Sequence, residues 1–356
     1  MADRATVRRL VIEHGHAVTA WQILNPGIEH WLAPEGDAVV GYVESGGYRV
    51  VAAAPICSAE RLVAVVAEFE GDARRHGLRT CYFAANERLA RTLAERGPLD
   101  RILLGAQPMW NPAAWPEILA GKASLRAQLS RARNKGVEVA RWPVEQARAH
   151  PELQRCLREW LATRGLPSLH FLVEPDTLET LEGRRVYVAE RKGHAVGFLV
   201  ASPIPKRKGW QIEQIIRGKQ APNGTAELML DAAFRDLAEE GAELVSLGLS
   251  PLSKRAGIVQ ENQPFWIKLM LGWMRAHGRR FYNFDGLDAF KAKFLPESWE
   301  PVWAITGERR INPRTLWAIT GAFADGSPVV MVAKALARAA QRELAWLRKR
   351  WRRRPV

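Results

Sequence analysis

Apolar and polar positions along the chain fall into two similar series. In the first, "AVVGYV" and "YRVVAA" flank the turn Glu44-Ser45-Gly46-Gly47, which predicts a β-hairpin. A helix is expected at about 59–75, then the strand "TCYFA", a helix at about 86–95 and the strand "RILLG". In the second, "VYVAE" and "AVGFLVAS" flank Arg191 to His194 as another hairpin, and "WQIEQIIR" continues as strand. A helix from Thr225 to about Glu240 follows, with Leu230, Phe234 and Leu237 on its buried face and Gly241 at its end. The strand "ELVSLGL" and a helix near 262–277 complete the series. Hairpin, strand, helix and strand, given twice, predict an α/β (α+β) fold of two related units with mixed sheets flanked by helices.

Four segments are expected. They are a first unit at 1–122, a basic linker helix at 123–145, a second unit carrying the chemistry at 146–312, and a basic extension at 313–356. In the linker, Arg126, Arg131, Arg133 and Lys135 read either as a solvated helix face or as a contact for RNA or lipid phosphate. In the extension, Val332, Leu336, Ala340, Leu344, Leu347 and Trp351 recur at spacings of three and four among many Lys and Arg. That pattern is a basic amphipathic helix, able to lie on an anionic membrane or to dock on the body of the protein.

Charge narrows the partners. A formal net charge of +14 over 356 residues points to an anionic one: nucleic acid, anionic lipid or a phosphorylated substrate. Cys57, Cys81 and Cys156 are far apart with no C-x-x-C, which fits a reducing cytoplasm. "EHGH" at Glu13 to His16 lacks the spacing of a helical metal pair, so no metal and no cofactor are expected. Apolar runs are too short for a membrane span, so the expected location is cytoplasmic, with peripheral attachment to the inner membrane face.

The chemistry concentrates in the second series. "RGKQAPNGTAELML" runs from strand through Pro222, Asn223 and Gly224 into a helix, with Thr225 or Asn223 as the expected cap. Helix N-termini attract anions, and Arg217 ends the preceding strand beside this one. Glu227 lies in the first turn, and Glu213 and Gln214 are expected on opposite faces of the strand. Ser250 and Ser253 in "SLGLSPLS" leave a buried strand and line the crevice. In "FYNFDGLDAFKAKFLPESWEPVW", Asp285 is the expected cap of a short helix, and Lys291 and Lys293 at its end reach for a phosphate or simply complement the helix dipole. Asn283 joins Gln214, Asn223, Gly224, Ser250 and Ser253 as a candidate substrate-binding position.

"APNGTAELML", "SLGLSPLS" and "FYNFDGLDAFKAKFLPESWEPVW", in that order, resemble the catalytic domain of the aminoacyl-phosphatidylglycerol synthases, the multiple peptide resistance proteins. "GDAVVGYV" and "LLGAQPMW" extend the resemblance from Gly36 to Trp303. It implies a tandem acetyltransferase-like fold, and transfer of an amino acid from aminoacyl-tRNA to the glycerol hydroxyl of phosphatidylglycerol. Arg217, Lys291 or Lys293, and the Asn223-Gly224 turn match the family's functional motif, with Arg217 and a lysine as phosphate clamps. Glu213 or Glu227 would hold the α-ammonium or assist proton transfer. The family's acid three residues before the arginine is Gln214 here. The alternatives are an acyl-CoA-dependent enzyme and a non-catalytic module binding membrane or RNA. A single glycine within Ala221–Leu230 speaks against a CoA pyrophosphate cradle.

Overall fold

The computed structural model describes residues 3–97, 100–163, 170–258, 283–307 and 311–324. The helix expected near 262–277 and the amphipathic segment from Val332 onward lie outside them.

Both hairpins form where the sequence places them. Strands β1 (Glu29–Leu32), β2 (Val39–Ser45) and β3 (Tyr48–Ala52) make an antiparallel meander. Helix α2 (Leu62–Arg75), which follows α1 (Arg4–His14), then crosses to β4 (Arg79–Ala85), parallel to β3. Helix α3 (Glu87–Glu95) leads to the long β5 (Asp100–Trp110), and α4 (Trp115–Gly121) and α5 (Ala123–Asn134) follow. The second half repeats the plan. After β6 (Val137–Trp142), α6 (Val144–Arg148) and α7 (Pro151–Thr163), β7 (Arg185–Arg191), β8 (His194–Ile204) and β9 (Gly209–Arg217) form a meander with β6 on its outer edge. Helix α8 (Thr225–Glu239) crosses to β10 (Leu244–Ser246), parallel to β9. The β7–β8 turn uses positive φ at Lys192 and Gly193, as a tight hairpin requires.

The halves interlock at their last strands. After β11 (Ser250–Pro251) and α9 (Phe284–Ala292), β12 (Ser298–Thr306) inserts between β4 and β5 of the first half, and β5 pairs with β10 of the second. One mixed sheet results, in the order β1-β2-β3-β4-β12-β5-β10-β9-β8-β7-β6, with β11 on β5. Helix α10 (Pro313–Ala322) covers β2 and β3 and buries Ala318 and Ala322 in the first unit's core.

The core that positions the second half's chemistry is aromatic. Trp115 stacks 4.7 Å from Phe234 of α8, and Trp110 meets the same ring edge-on at 5.7 Å. The Trp110 indole N–H donates to the Phe294 carbonyl at 2.9 Å, which fixes the chain just after α9. These large rings bury apolar area while the indole finds a polar partner.

Four local expectations change. The basic stretch 123–145 is helical only to Asn134; Gly136 turns at φ +73° and the chain continues as β6. The N-cap of α8 is Gly224, with no side-chain cap bond, and the buried Thr225 hydroxyl donates instead to the Pro222 carbonyl at 2.7 Å. Asn283, not Asp285, caps α9, its Oδ1 accepting from the Gly286 amide at 2.9 Å. Finally, Ala201 pairs with Ile212 and Val200 with Gln214, so Glu213 sits in a bulge. The extra residue breaks strand alternation, and Glu213 and Gln214 both contact the segment 174–184 rather than opposite sides.

Candidate active site

Strand β9 pairs with β10 only over Gly209–Gln211. From Ile212 to Arg217 its far edge has no strand partner among the described residues, while β8 continues along the other edge. Two parallel central strands thus part into a wedge. Unpaired main-chain groups at such a gap are free to bind ligand, and the crevice outside parting parallel strands is where α/β sheets build sites.

One wall is the loop after β10. Gly248 turns at φ +67°, and Ser250 and Pro251 pair as β11 with Ala106 and Gly105 of β5. A side chain on Gly105 would meet the Ser250 carbonyl at 2.2 Å, so only glycine allows the loop to seat there.

Helix α9 lies against this loop. The Lys291 ammonium position is buried, and its Nζ donates to the carbonyls of Gly248 at 2.9 Å and Leu249 at 2.8 Å. Burial lowers its pKa to about 7, against a smaller opposing pull from Asp288. Asp288 accepts from the Ser250 hydroxyl at 3.2 Å and from Arg255 Nε at 2.7 Å. Burial works to raise its pKa, but hydrogen bonds from Ser253 and Arg255 outweigh it and the net shift is downward. Ser253 is buried and its hydroxyl also accepts from the Arg255 amide at 3.3 Å. Lys293 pairs with Glu227 at 2.5 Å, with the Phe290 ring 4.1 Å from its Nζ.

The structure therefore brings Ser250, Ser253, Lys291, Lys293 and Glu227 together around α9 and the loop. Asp288 and Arg255 belong to the same cluster and were missed; Asp288 lies three residues before Lys291 on one helix, the spacing that places two side chains on one face. Glu213 and Gln214 are held elsewhere. Glu213 is ion-paired with buried Arg184 at 2.8 Å, and Arg184 also donates to Asn25 Oδ1 at 2.9 Å. Gln214 accepts from the Thr177 hydroxyl at 2.8 Å and donates to the Glu174 carbonyl at 2.8 Å. Arg217 is exposed at the tip of β9, without an ion-pair partner among the described residues. Asn223 is exposed, and Gly224 is buried against α5: a Cβ there would lie 2.1 Å from the Gln128 carbonyl. The turn is filled by protein, with an electronegative oxygen beside the helix N-terminus.

Elsewhere, Cys57, Cys81 and Cys156 are buried and form no disulfide among the described residues. Among the described residues no three His, Cys, Asp or Glu cluster as metal ligands, and no helix is long and apolar enough to cross a membrane.

Interlocked meanders with parted central strands define the class of fold, and solved structures share it. The C-terminal domain of a putative lysylphosphatidylglycerol synthetase from Agrobacterium fabrum superposes with a TM-score of 0.75 at 25% identity, covering 91% of this chain and 98% of that one. L-PGS from Bacillus licheniformis gives 0.73 at 18% identity, covering 95% and 97%. The chain belongs to the phosphatidylglycerol lysyltransferase C-terminal family, whose sequence model matches residues 8–306. A phosphatidylglycerol lysyltransferase of Bacillus subtilis (strain 168) is 26% identical over 171 residues, 48% of this chain and 19% of that protein's length.

Proposed function

We propose that the protein transfers an amino acid from aminoacyl-tRNA to the hydroxyl of phosphatidylglycerol or a related anionic lipid. Family membership supports the reaction class. The observation that carries the reading is Lys291. A neutral amine has two N–H bonds, and the two carbonyls that Lys291 contacts satisfy both. Its lone pair is left to accept a proton, and a pKa of about 7 suits a base working near neutrality.

An aminoacyl ester is already activated. The acceptor hydroxyl attacks the ester carbonyl and gives its proton to Lys291. The tetrahedral oxyanion collapses, a new ester forms, and the tRNA ribose oxygen leaves with the proton that Lys291 returns. Main-chain amides of the open β9 edge supply donors for the developing oxyanion, while the Ser250 and Ser253 hydroxyls hold Asp288 beside Lys291. Arg217 serves the lipid phosphate at the mouth of the wedge. Lys293 and Glu227 fix α9 against α8 and keep Lys291 in register.

The +14 net charge supports an RNA donor and an anionic lipid surface. The basic residues of 334–356 add membrane attraction of about 1 kcal/mol for each nearby cation. Acyl-CoA is disfavoured as donor by the Gln128 carbonyl that fills the space beside Gly224.

The test supplies radiolabelled aminoacyl-tRNA and phosphatidylglycerol liposomes, followed by lipid extraction. Label in lipid that disappears on RNase treatment supports the reading. Label only from acyl-CoA, or none with any donor, removes it. Liposome binding unchanged after deletion of 334–356 removes the membrane role of that segment.

A further inference from the structure

On the sheet face opposite α8 lies a set of uncharged polar side chains, joined to Lys291 through the Gly248 main chain, that the transfer reaction does not use. Gln22 (1% exposed), Ser202 (0%), Gln211 (8%) and Ser246 (0%) are all more than nine-tenths buried. The Gln22 amide donates to the Ser202 hydroxyl at 3.0 Å. Ser202 stands opposite Gln211 across β8 and β9, and Gln211 stands opposite Ser246 across β9 and β10. Directly opposite residues share a face about 5 Å apart, so the four side chains form one row. The row meets the site at Gly248: its amide donates to Ser246 Oγ at 3.1 Å, and its carbonyl accepts from Lys291. A Cβ on Gly248 would lie 3.0 Å from the Gln211 amide nitrogen, so glycine lets the Gln211 amide pack directly against this turn.

Two amide oxygens in this row, on Gln22 and Gln211, are buried without a hydrogen-bond partner. A buried amide oxygen without a donor is unfavourable unless something fills it. Nearby charges are already spent, Arg184 on Glu213 and Arg207 on Glu300 at 2.7 Å. The open valences are those of neutral amides and hydroxyls. They match a neutral hydroxyl-bearing group, which both donates and accepts, better than an ammonium or a phosphate.

We propose that Gln22, Ser202, Gln211 and the Gly248 turn form a buried subsite for the uncharged glycerol portion of the acceptor head group, seating a hydroxyl beside Lys291. This rests on the transfer reading for the identity of the acceptor. Its test, however, needs neither tRNA nor turnover. Glycerophosphoglycerol, the deacylated head group, and inorganic phosphate are titrated into the full chain by calorimetry. The wild-type protein is expected to bind glycerophosphoglycerol more tightly than phosphate. Gln211→Met and Gln22→Met, each near its native volume, should weaken glycerophosphoglycerol about tenfold and leave phosphate unchanged. If either variant does not fold, Ser202→Ala removes the hydroxyl between the two amides and should give the same selective loss. Equal affinity for both ligands in the wild type overturns the proposal, as does unchanged glycerophosphoglycerol affinity in the variants. A raised melting temperature with unchanged affinity also overturns it, marking a site for buried water only. Failure of the lipid-transfer assay alongside selective head-group binding would sink the reaction and leave the subsite standing.

Discussion

The Lys293 ammonium lies 2.5 Å from the Glu227 carboxylate, joining the end of α9 to the first turn of α8. Glu227 is nearly buried and Lys293 is about one-third exposed, so solvent screens part of the attraction. A double-mutant cycle with Glu227→Gln and Lys293→Met should therefore return a coupling of about 1 kcal/mol in urea unfolding. A coupling indistinguishable from zero would show that the pair does not hold α9 in place.

Lys291 sets a pH dependence whose sign is fixed. Its folded pKa, about 7, is below the ordinary lysine value of 10.5. Between those values the unfolded chain binds the extra proton, so stability rises with pH across about 7 to 10.5 and is flat below. The slope contributed by this group reaches about 1.4 kcal/mol per pH unit at most. Lys291→Met should lose that slope in pH-dependent denaturation, and should also lose the rise in kcat/KM through pH 7 that a base of this pKa gives. A stability profile identical in variant and wild type would contradict a lowered pKa.

Local signals were legible and long-range ones were not. Gly46-Gly47 and Gly193 announce their hairpins because glycine adopts the positive φ such turns need. The exchange of β5 and β12 joins Met109 to Ser298, a pairing that no window of local periodicity contains. Glu213 and Gln214 were misplaced for a related reason: the alternation rule assumes an unbulged strand, and the bulge is visible only in the pairing with β8. Lys291 and Lys293 were both readable as candidate site residues. Their separate partners, main-chain carbonyls for one and Glu227 for the other, depend on the fold.

Gly224 holds φ +96° with the Gln128 carbonyl where a side chain would start. Gly224→Ala therefore meets both backbone strain and a clash with main chain, and α5 must move away from α8. We expect a loss of roughly 2 kcal/mol in chemical denaturation. A variant as stable as wild type would mean that α5 yields freely at this contact.

Arg217 and Glu213 lie on one strand and should respond in opposite ways. Arg217 is exposed, so Arg217→Ala should leave the melting temperature within about 1 °C, a surface change costing under about 0.5 kcal/mol. Lipid transfer should nonetheless fall at least about tenfold, the scale of a lost charge-assisted phosphate contact. Glu213 is locked to Arg184 in a pair with side-chain exposures of 8% and 2%. Glu213→Gln leaves the buried guanidinium with neutral acceptors alone (the new amide oxygen, Asn25 and the Thr180 carbonyl), and removing the charge of such a pair costs about 3 kcal/mol. Its melting temperature should fall by several degrees before any effect on transfer is measured. Should Glu213→Gln instead keep its melting temperature and lose transfer, Glu213 acts on the substrate and Arg184 only orients it.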